Sequence, residues 1–165
     1  REQRCWLHKM GNILNDLPKR VQPRAKGMLR EMMYSETLSA ANQAKQKFLG
    51  EVHQKYPKAA TRLEKDWTEL TAFFTLPALH WTHLRTTNPI ESTFATVRLR
   101  TNVTRGAGSP VAASTMAFKL LQDAEKTWNR IRGYDEIKNV LSGVAYVNGV
   151  MVPGSLLTRQ EATAA

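Results

Sequence analysis

The sequence has a single cysteine, no long hydrophobic run and few acidic residues. Cys5 stands alone among 165 residues, which excludes an internal disulfide framework and makes a reducing compartment the simplest expectation. No apolar run approaches the roughly 18 residues that a membrane-spanning helix needs, and no secretory signal pattern occurs at the start. We therefore expect a cytoplasmic protein with no membrane partner. The chain begins with Arg1 rather than Met, which suggests a fragment or a processed chain.

Acidic residues are outnumbered, with 14 Asp and Glu against 24 Lys and Arg and a net charge of +10. The excess lies in two segments: residues 1–30 hold eight basic and two acidic residues, and residues 81–132 hold eight and three. Residues 31–80 hold six of each and are neutral. If the basic segments meet in space, they form a surface suited to a polyanion such as DNA. A solvated cationic face without a nucleic-acid ligand is the alternative that charge alone leaves open.

The spacing of apolar residues predicts a mainly α-helical chain. Four helices are predicted before Pro77, with bounds set by Pro18, Pro23 and Pro57. The fourth begins at Pro57 and has the clearest helical periodicity. Its apolar stripe consists of Leu63, Trp67, Leu70 and Phe74.

Sequence patterns in the second half of the chain predict two longer helices and a hairpin. One helix opens at Asn88, with its core face at Ile90, Phe94 and Val97. The other opens at Ser109 and ends at Gly133, with Trp128 on its buried face. A short helix and a hairpin around the Asn-Gly pair at 148–149 follow.

The stretch TTNPIESTF, residues 86–94, reads locally as a helix start. Asn88 is a good N-cap residue, and Pro89 falls at the first helical position, where its missing N–H costs nothing. Glu91 follows the cap by three residues, where a carboxylate can reach back to the N–H of the cap. The local pattern favours Glu91 as a cap partner, and a catalytic carboxylate at a helix start is the alternative.

Two short motifs have the spacing of metal ligands. Cys5-x-x-His8 could supply half of a zinc site, and His80-x-x-His83 could supply the other half. Such pairs arise often by chance and lie far apart here, so the spacing favours other roles. Cys5 is more simply read as a small buried hydrophobic residue.

Trp81 and a set of arginines are candidates for contacts with DNA. Trp81 lies among polar and basic residues and could stack on a base, whereas the alternative is a tryptophan packed at the rim between lobes. Arg98 follows Glu91 by seven residues on about the same helix face, so an ion pair between these two side chains is an alternative to phosphate contact. The candidate phosphate contacts are Arg85, Arg98, Arg100 and Arg105.

Two stretches together resemble a known family. QRCWLHKMGNILNDLPK (residues 3–19) and HWTHLRTTNPIESTFATVRLRT (residues 80–101) resemble the Mutator-type transposases of bacterial insertion sequences, and the likeness extends to about Gly149. The resemblance implies an RNase H-like α/β catalytic fold whose three carboxylates bind two Mg²⁺ ions, for which Mn²⁺ can substitute. It identifies Glu91, in NPIES, as the third carboxylate and metal ligand. Cys5 and His8 match a family motif whose role is uncertain.

The resemblance also implies a domain organisation. Residues 1–20 form an RNase H-like segment with the Cys-x-x-His motif, and residues 21–80 form a helical insertion. Residues 81–133 form an RNase H-like segment with the third carboxylate and a long helix, and residues 134–165 hold a short helix, a hairpin and a flexible tail. DNA contacts are expected in the third segment, from Trp81, Arg85, Asn88, Arg98, Arg100 and Arg105.

Such enzymes hydrolyse a phosphodiester at the element end and join the resulting 3′-OH to target DNA, and the resemblance implies a homodimer at the bacterial nucleoid. The two catalytic aspartates of the family lie upstream of Cys5 and are missing here, and Asp16 and Asp66 do not replace them. We therefore expect a C-terminal part of a transposase, from a truncated reading frame or a fragment, that is inactive alone. The alternative is a non-catalytic helical DNA-binding remnant. A purely structural helical bundle would leave the basic segments unexplained.

Overall fold

The computed structural model describes residues 2–155, apart from the side chains of residues 88–90. Within this range the chain is mainly helical, as predicted. It forms two compact units. Unit 1 comprises the described residues up to Thr86 together with those from Arg132 onward, and unit 2 comprises Thr87–Ile131.

Unit 1 begins with short helices that follow the predicted order. Thr37 caps the third of them, because its hydroxyl oxygen accepts a hydrogen bond from the Ala40 N–H at 3.1 Å. Pro23 and Pro57 lie in the first turns of the second and fourth helices, as predicted. The helices are α1 (Trp6–Asn15), α2 (Gln22–Met33), α3 (Leu38–Val52), α4 (Pro57–Lys65), α5 (Trp67–Leu70) and α6 (Trp81–Leu84).

One apolar core holds these helices together. α1 packs against α2 and α4, and α3 packs against α2 and α4. α1 therefore shares a core with the helices of the predicted insertion, and the division of the chain into the predicted segments stays a prediction. Among the described residues, the largest fully buried side chains include Trp6, Ile13, Leu29, Met32, Phe48, Leu63, Leu70 and Phe73.

The fourth predicted helix is interrupted, so the prediction of one continuous helix from Pro57 through Phe74 was wrong. α4 ends at Lys65, and a 3₁₀ helix, Ala72–Thr75, follows α5. The break lies at Asp66, which is buried and forms ion pairs with Lys9 and Arg4. A buried carboxylate needs such cationic partners. We infer that these ion pairs stabilise the break at Asp66 despite the continuous helical spacing of the apolar residues.

Unit 2 contains two adjacent helices, α7 (Asn88–Val103) and α8 (Pro110–Glu125). Ser109 caps α8 as predicted, since its side chain accepts a hydrogen bond from the Ala112 N–H at 3.2 Å. α8 ends earlier than predicted, however, and Gly133 instead adopts a left-handed conformation, with φ of 71°, ahead of the next 3₁₀ helix.

None of the predicted core positions of unit 2 whose side chains are described is fully buried, and the predictions of Phe94 and Trp128 as core residues were wrong. Phe94 is 46% exposed and Trp128 is 56% exposed, and α8 has no buried residue. Val97 is half-buried, and Ile90 lies outside the described side chains. Helical spacing identifies a shared face, but that face becomes a core only where another element covers it.

The chain from Gly133 ends in short elements of unit 1. A 3₁₀ helix, Tyr134–Glu136, leads into α9 (Ile137–Leu141), and β1 (Tyr146–Val147) pairs antiparallel with β2 (Val150–Met151). Asn148 and Gly149 both have positive φ, 49° and 81°, which confirms the predicted hairpin turn. The predicted flexible tail beyond residue 155 lies outside the described residues.

The two strands form the one sheet found in residues 2–155, so the RNase H-like fold implied by the resemblance stays a prediction. None of the helices in this range combines the length and apolar composition needed to cross a membrane.

Candidate functional site

Glu91 lies in the first turn of α7 and is held by Thr87. The Thr87 hydroxyl donates to Oε1 of Glu91 at 2.6 Å, and the Glu91 N–H donates to the Thr87 carbonyl at 3.0 Å. Thr87 is therefore the N-cap, and the prediction of Asn88 as the cap was wrong by one residue. The backbone enters the helix earlier than the Asn-Pro pair suggests.

This arrangement presents an oriented carboxylate at a helix N-terminus. The partial positive charge of that terminus attracts a carboxylate, and the bond from the Thr87 hydroxyl restricts the rotation of the Glu91 side chain. Glu91 is half-buried, so part of the group faces solvent. The cap interpretation and the catalytic interpretation are both compatible with this geometry.

The described residues do not form a complete metal site. Nowhere in residues 2–155 do three or more His, Cys, Asp or Glu side chains come together in a way that could hold a metal ion. Two divalent ions need several oxygen ligands, and Glu91 offers one carboxylate. The residues present therefore do not fit the two Mg²⁺ ions by themselves.

The four candidate arginines fall into two groups. Arg98, Arg100 and Arg105 are exposed on α7 and the loop after it. Arg85 is half-buried, with its guanidinium carbon 4.7 Å from the Phe73 ring centroid, and burial lowers its pKa. Its Nε atom is buried and has no hydrogen-bond partner in the described part of the chain. Phosphate contact stays a prediction for all four, but only the exposed group can make it without rearrangement.

Trp81 belongs to the core, so its assignment as a tryptophan outside the apolar packing was wrong. It is 8% exposed and packs edge-on against the rings of Phe73 and Phe74, with centroid distances of 5.2 and 5.1 Å. Its indole N–H donates to the Leu76 carbonyl at 3.0 Å. The short helical turns after Pro77 place the ring against the 3₁₀ helix, so a base could stack on it only if this packing opened.

The zinc interpretation of the two motifs is wrong for the described residues, since no metal-binding group forms among them. Cys5 precedes α1 and is half-buried, while His8 is exposed on α1. His80 Nε2 lies 2.8 Å from the Gly133 carbonyl oxygen, and His83 Nε2 accepts a hydrogen bond from the Arg132 N–H at 2.9 Å. The i, i+3 spacing was visible in the sequence, but nothing in it pointed to the backbone at 132–133.

A buried ion pair was also missed. Lys9 and Asp66 are both buried and hydrogen-bonded, and Arg4 lies 2.9 Å from the same carboxylate. The Lys9 hydrogen bond is the main reason why the pKa of Asp66 lies below its usual value. Asp16 is likewise paired with Arg62. Both aspartates therefore have structural partners.

Comparison with known proteins identifies relatives of one kind. The family model described as "Transposase, Mutator family" matches residues 1–131. The chain is 46% identical over 149 residues to the transposase for insertion sequence element IST2 of Acidithiobacillus ferrooxidans, covering 90% of this chain and 50% of the relative. It is 44% identical over 149 residues to the transposase for insertion sequence element IS6120 of Mycolicibacterium smegmatis, covering 90% and 46% respectively.

A more distant relative is the transposase for insertion sequence element ISRM5 of Rhizobium meliloti (strain 1021), with 27% identity over 139 residues. The chain spans about half the length of the two more similar relatives. The family match includes α7, Glu91 and the arginines that follow it. The chain belongs to the Mutator family of transposases.

Proposed function

We propose that this chain is the C-terminal catalytic part of a DNA transposase, which transposes an insertion element by cleaving DNA strands and joining them to target DNA. The relatives are insertion-sequence transposases. The observation that carries the proposal is the oriented carboxylate of Glu91 at the start of α7, within the stretch that matches the family. In the complete enzyme, this carboxylate belongs to an RNase H-like active site.

Glu91 is proposed as a metal ligand of that site. The complete enzyme would use two Mg²⁺ ions, or Mn²⁺, which polarise the phosphodiester and stabilise the attacking and leaving oxygens. This chain contributes one carboxylate held by Thr87. The remaining ligands are proposed to come from the part of the protein that the relatives have beyond the matched half.

Contacts with DNA are proposed mainly for the exposed arginines Arg98, Arg100 and Arg105. They lie on the helix that carries Glu91 and on the loop after it, where they could bind the phosphates flanking a scissile bond. Asn88 remains a candidate contact because it adjoins the cap. Arg85 and Trp81 contribute to DNA contact only through a rearrangement of their packing. The complete enzyme is proposed to act as a homodimer at the nucleoid in the cytoplasm.

The proposal is tested in an extended protein, defined as this chain joined to the part of the IST2 transposase that precedes the matched stretch. Glu91→Gln keeps the size of the side chain and an oxygen that can accept the Thr87 hydroxyl, but it removes the charge that a hard cation requires. We expect strand cleavage to vanish and the free energy of unfolding to fall by no more than about 1 kcal/mol. Glu125→Gln, at the exposed end of α8, is the matched control. Cleavage by Glu91→Gln at the unsubstituted rate would refute the assignment.

A second candidate function is a non-catalytic DNA-binding remnant. For the isolated chain it is favoured because no group of three or more His, Cys, Asp or Glu side chains that could hold a metal ion forms among the described residues. Both candidates predict salt-dependent DNA binding. The chain has a net charge of +10, and Lys and Arg side chains that contact phosphates release the counterions bound there. Fluorescence anisotropy between 50 and 200 mM salt should show a loss of about 1,000-fold in affinity if six or more phosphates are contacted. The extended protein separates the two candidates, since a remnant would bind DNA without cutting it.

A further inference from the structure

One side of α2 in unit 1 carries positive charges that meet no carboxylate in the described part of the chain. Residues 17–30 include five Lys and Arg residues and no Asp or Glu. Three of the five, Lys19, Lys26 and Arg30, are exposed. Within residues 2–155 their side chains make no hydrogen bond or ion pair, so all three are available to a ligand from outside the chain.

These three side chains form a cationic row, the name used here for Lys19, Lys26 and Arg30 together. Arg30 follows Lys26 by four residues, and Lys19 precedes Lys26 by seven, so all three lie on one side of a helix. Lys19 lies in the turn before α2, and this turn continues the helical backbone, because the Gln22 N–H donates to the Pro18 carbonyl at 3.3 Å. At about 1.5 Å per residue, the cationic row is about 16 Å long.

The side of α2 that faces α3 is different, because its charges are paired. Arg24 donates through Nε and Nη2 to the two carboxylate oxygens of Glu51, at 2.8 and 2.6 Å. Glu31 of α2 lies 3.8 Å from the Nζ atom of Lys47 on α3. Acidic partners are thus present where the charged residues of α2 meet a neighbouring helix. The cationic row is a property of one side of this helix and not of its whole surface.

The cationic row does not stabilise α2 by itself. Like charges one turn apart on a helix repel each other, which is the relation of Lys26 to Arg30. Lys19 precedes the N-terminus of α2, where the helix dipole disfavours a positive charge. A polyanion bound along the row would remove both costs, since its negative charges would lie beside each cation.

We propose that Lys19, Lys26 and Arg30 bind the backbone phosphates of duplex DNA, as a second DNA-binding surface in addition to the candidate arginines of unit 2. Duplex DNA carries about one negative charge per 1.7 Å of its axis, so a row about 16 Å long meets several phosphates. Phosphate contacts position a protein on DNA without reading its sequence, so this surface binds duplexes of any sequence. The choice of DNA as the ligand rests on the proposed function, whereas the unpaired cationic row does not.

The surface is tested in the isolated chain with two double variants that each remove two positive charges. Lys26→Gln with Arg30→Gln changes the cationic row, and glutamine keeps a high helix propensity. Arg24→Gln with Lys47→Gln is the matched control, because both of its residues lie on the paired side of α2 and α3. Circular dichroism and thermal melts should show similar helicity and melting temperature for the two.

Fluorescence anisotropy with a labelled duplex, between 50 and 200 mM salt, measures the difference. We expect the row variant to bind at least about tenfold more weakly than the unsubstituted chain, and its salt dependence to fall by about two phosphate contacts. The control variant should keep its salt dependence and lose much less affinity. Equal losses in the two variants would show a general effect of net charge and would overturn the proposed surface.

Acetylation of lysines by acetic anhydride, read by mass spectrometry, locates the contact directly. A bound duplex should slow the acetylation of Lys19 and Lys26 and leave that of Lys47 unchanged, and an unrelated duplex should give the same protection. Row lysines that react equally fast with and without bound DNA would overturn the surface.

These outcomes are separate from those that test the proposed function. Binding by the unsubstituted chain that is unaffected in the row variant would overturn this surface alone. Failure of the unsubstituted chain to bind any duplex at 50 mM salt would refute DNA contact in the proposed function and this surface with it. Cleavage that survives Glu91→Gln in the extended protein would refute the catalytic assignment, while anisotropy would still decide on the cationic row.

Discussion

The two compact units differ in where their apolar side chains lie. Unit 1 buries large residues such as Trp6, Phe48 and Phe73 completely. In unit 2, α8 buries none, and Phe94, Phe118 and Trp128 are about half exposed. Both units have ordinary helix-start signals, so the contrast does not come from local helix formation. It comes from whether another element covers the apolar face.

The difference shows that a sequence can form a helix without also burying the apolar face of that helix in a core. Thr37 and Ser109 cap helices in unit 1 and unit 2 with the same kind of bond, yet only the helix in unit 1 gains stability from buried area. Most helix stability in proteins comes from packing of the apolar face. In the isolated chain, unit 2 should therefore be less stable than unit 1.

The largest expected effect of this contrast is on amide hydrogen exchange. In the isolated chain, we expect amides in the middle of α8 to exchange at least about 100-fold faster than those in the middle of α3, because local opening of unit 2 breaks few apolar contacts. Exchange measured residue by residue at neutral pH checks this. Equal protection in the two helices would mean that α8 has packing that its exposed side chains do not reveal.

Two tryptophans provide a matched substitution. Trp81→Ala should reduce the free energy of unfolding by about 3–5 kcal/mol, because it removes a buried ring from the contacts with Phe73 and Phe74. Trp128→Ala should change it by no more than about 0.5 kcal/mol, because that ring is 56% exposed. Denaturant unfolding of both variants decides. Similar losses for the two would contradict the contrast between the units.

The buried ion pair gives a third test inside unit 1. Asp66→Asn leaves Lys9 buried without its charge partner, which should cost about 3 kcal/mol. Asp123→Asn is the control, because the Asp123–Lys126 pair in unit 2 is exposed and should leave the melting temperature nearly unchanged. The double variant Lys9→Met with Asp66→Leu should regain much of the loss, since it removes both charges together. A full loss in the double variant would point to backbone damage at residue 66.

The same pair predicts how stability depends on pH. The hydrogen bond that Asp66 accepts from Lys9 lowers the pKa of Asp66 in the folded protein below the usual value of 3.8. A depressed folded pKa means that the contribution is present above the unfolded pKa and is lost as pH falls through the folded one. The free energy of unfolding of the unsubstituted chain should therefore fall as the pH is lowered from 6 to 3, and that of Asp66→Asn should fall less. Parallel pH curves would contradict the pairing.

The smallest effects concern the two helix caps. Thr37→Ala should reduce the free energy of global unfolding by about 1 kcal/mol. Ser109→Ala removes an equivalent bond in unit 2, where we expect a local loss of helicity in α8 and little change in global unfolding. Circular dichroism and denaturant unfolding of the pair make the comparison. Equal global losses would show that the two units unfold together.

Sequence signals predicted local structure well where the cause is local. The cap at Ser109 and the Asn148–Gly149 turn depend on neighbouring residues, and both are confirmed. The misplaced tryptophans and the break at Asp66 depend on distant partners, which periodicity does not identify. For the candidate site, the helix start before Glu91 was predicted to within one residue, since the cap is Thr87 rather than Asn88, and the role of Glu91 stays a prediction. The bonds of His80 and His83 to residues 133 and 132 depend on where the chain returns after Ile131, which helical spacing does not identify.

The central proposal is that this chain carries one active-site carboxylate of a transposase and that chain beyond the described residues completes the site. A side-by-side cleavage assay of the isolated chain and the extended protein, with Mg²⁺ or Mn²⁺ and DNA carrying an element end, tests it most directly. One carboxylate cannot hold two divalent ions in the required geometry, so the isolated chain should bind the DNA and leave it intact while the extended protein cuts it. Chelator-sensitive cleavage by the pure isolated chain would contradict this account.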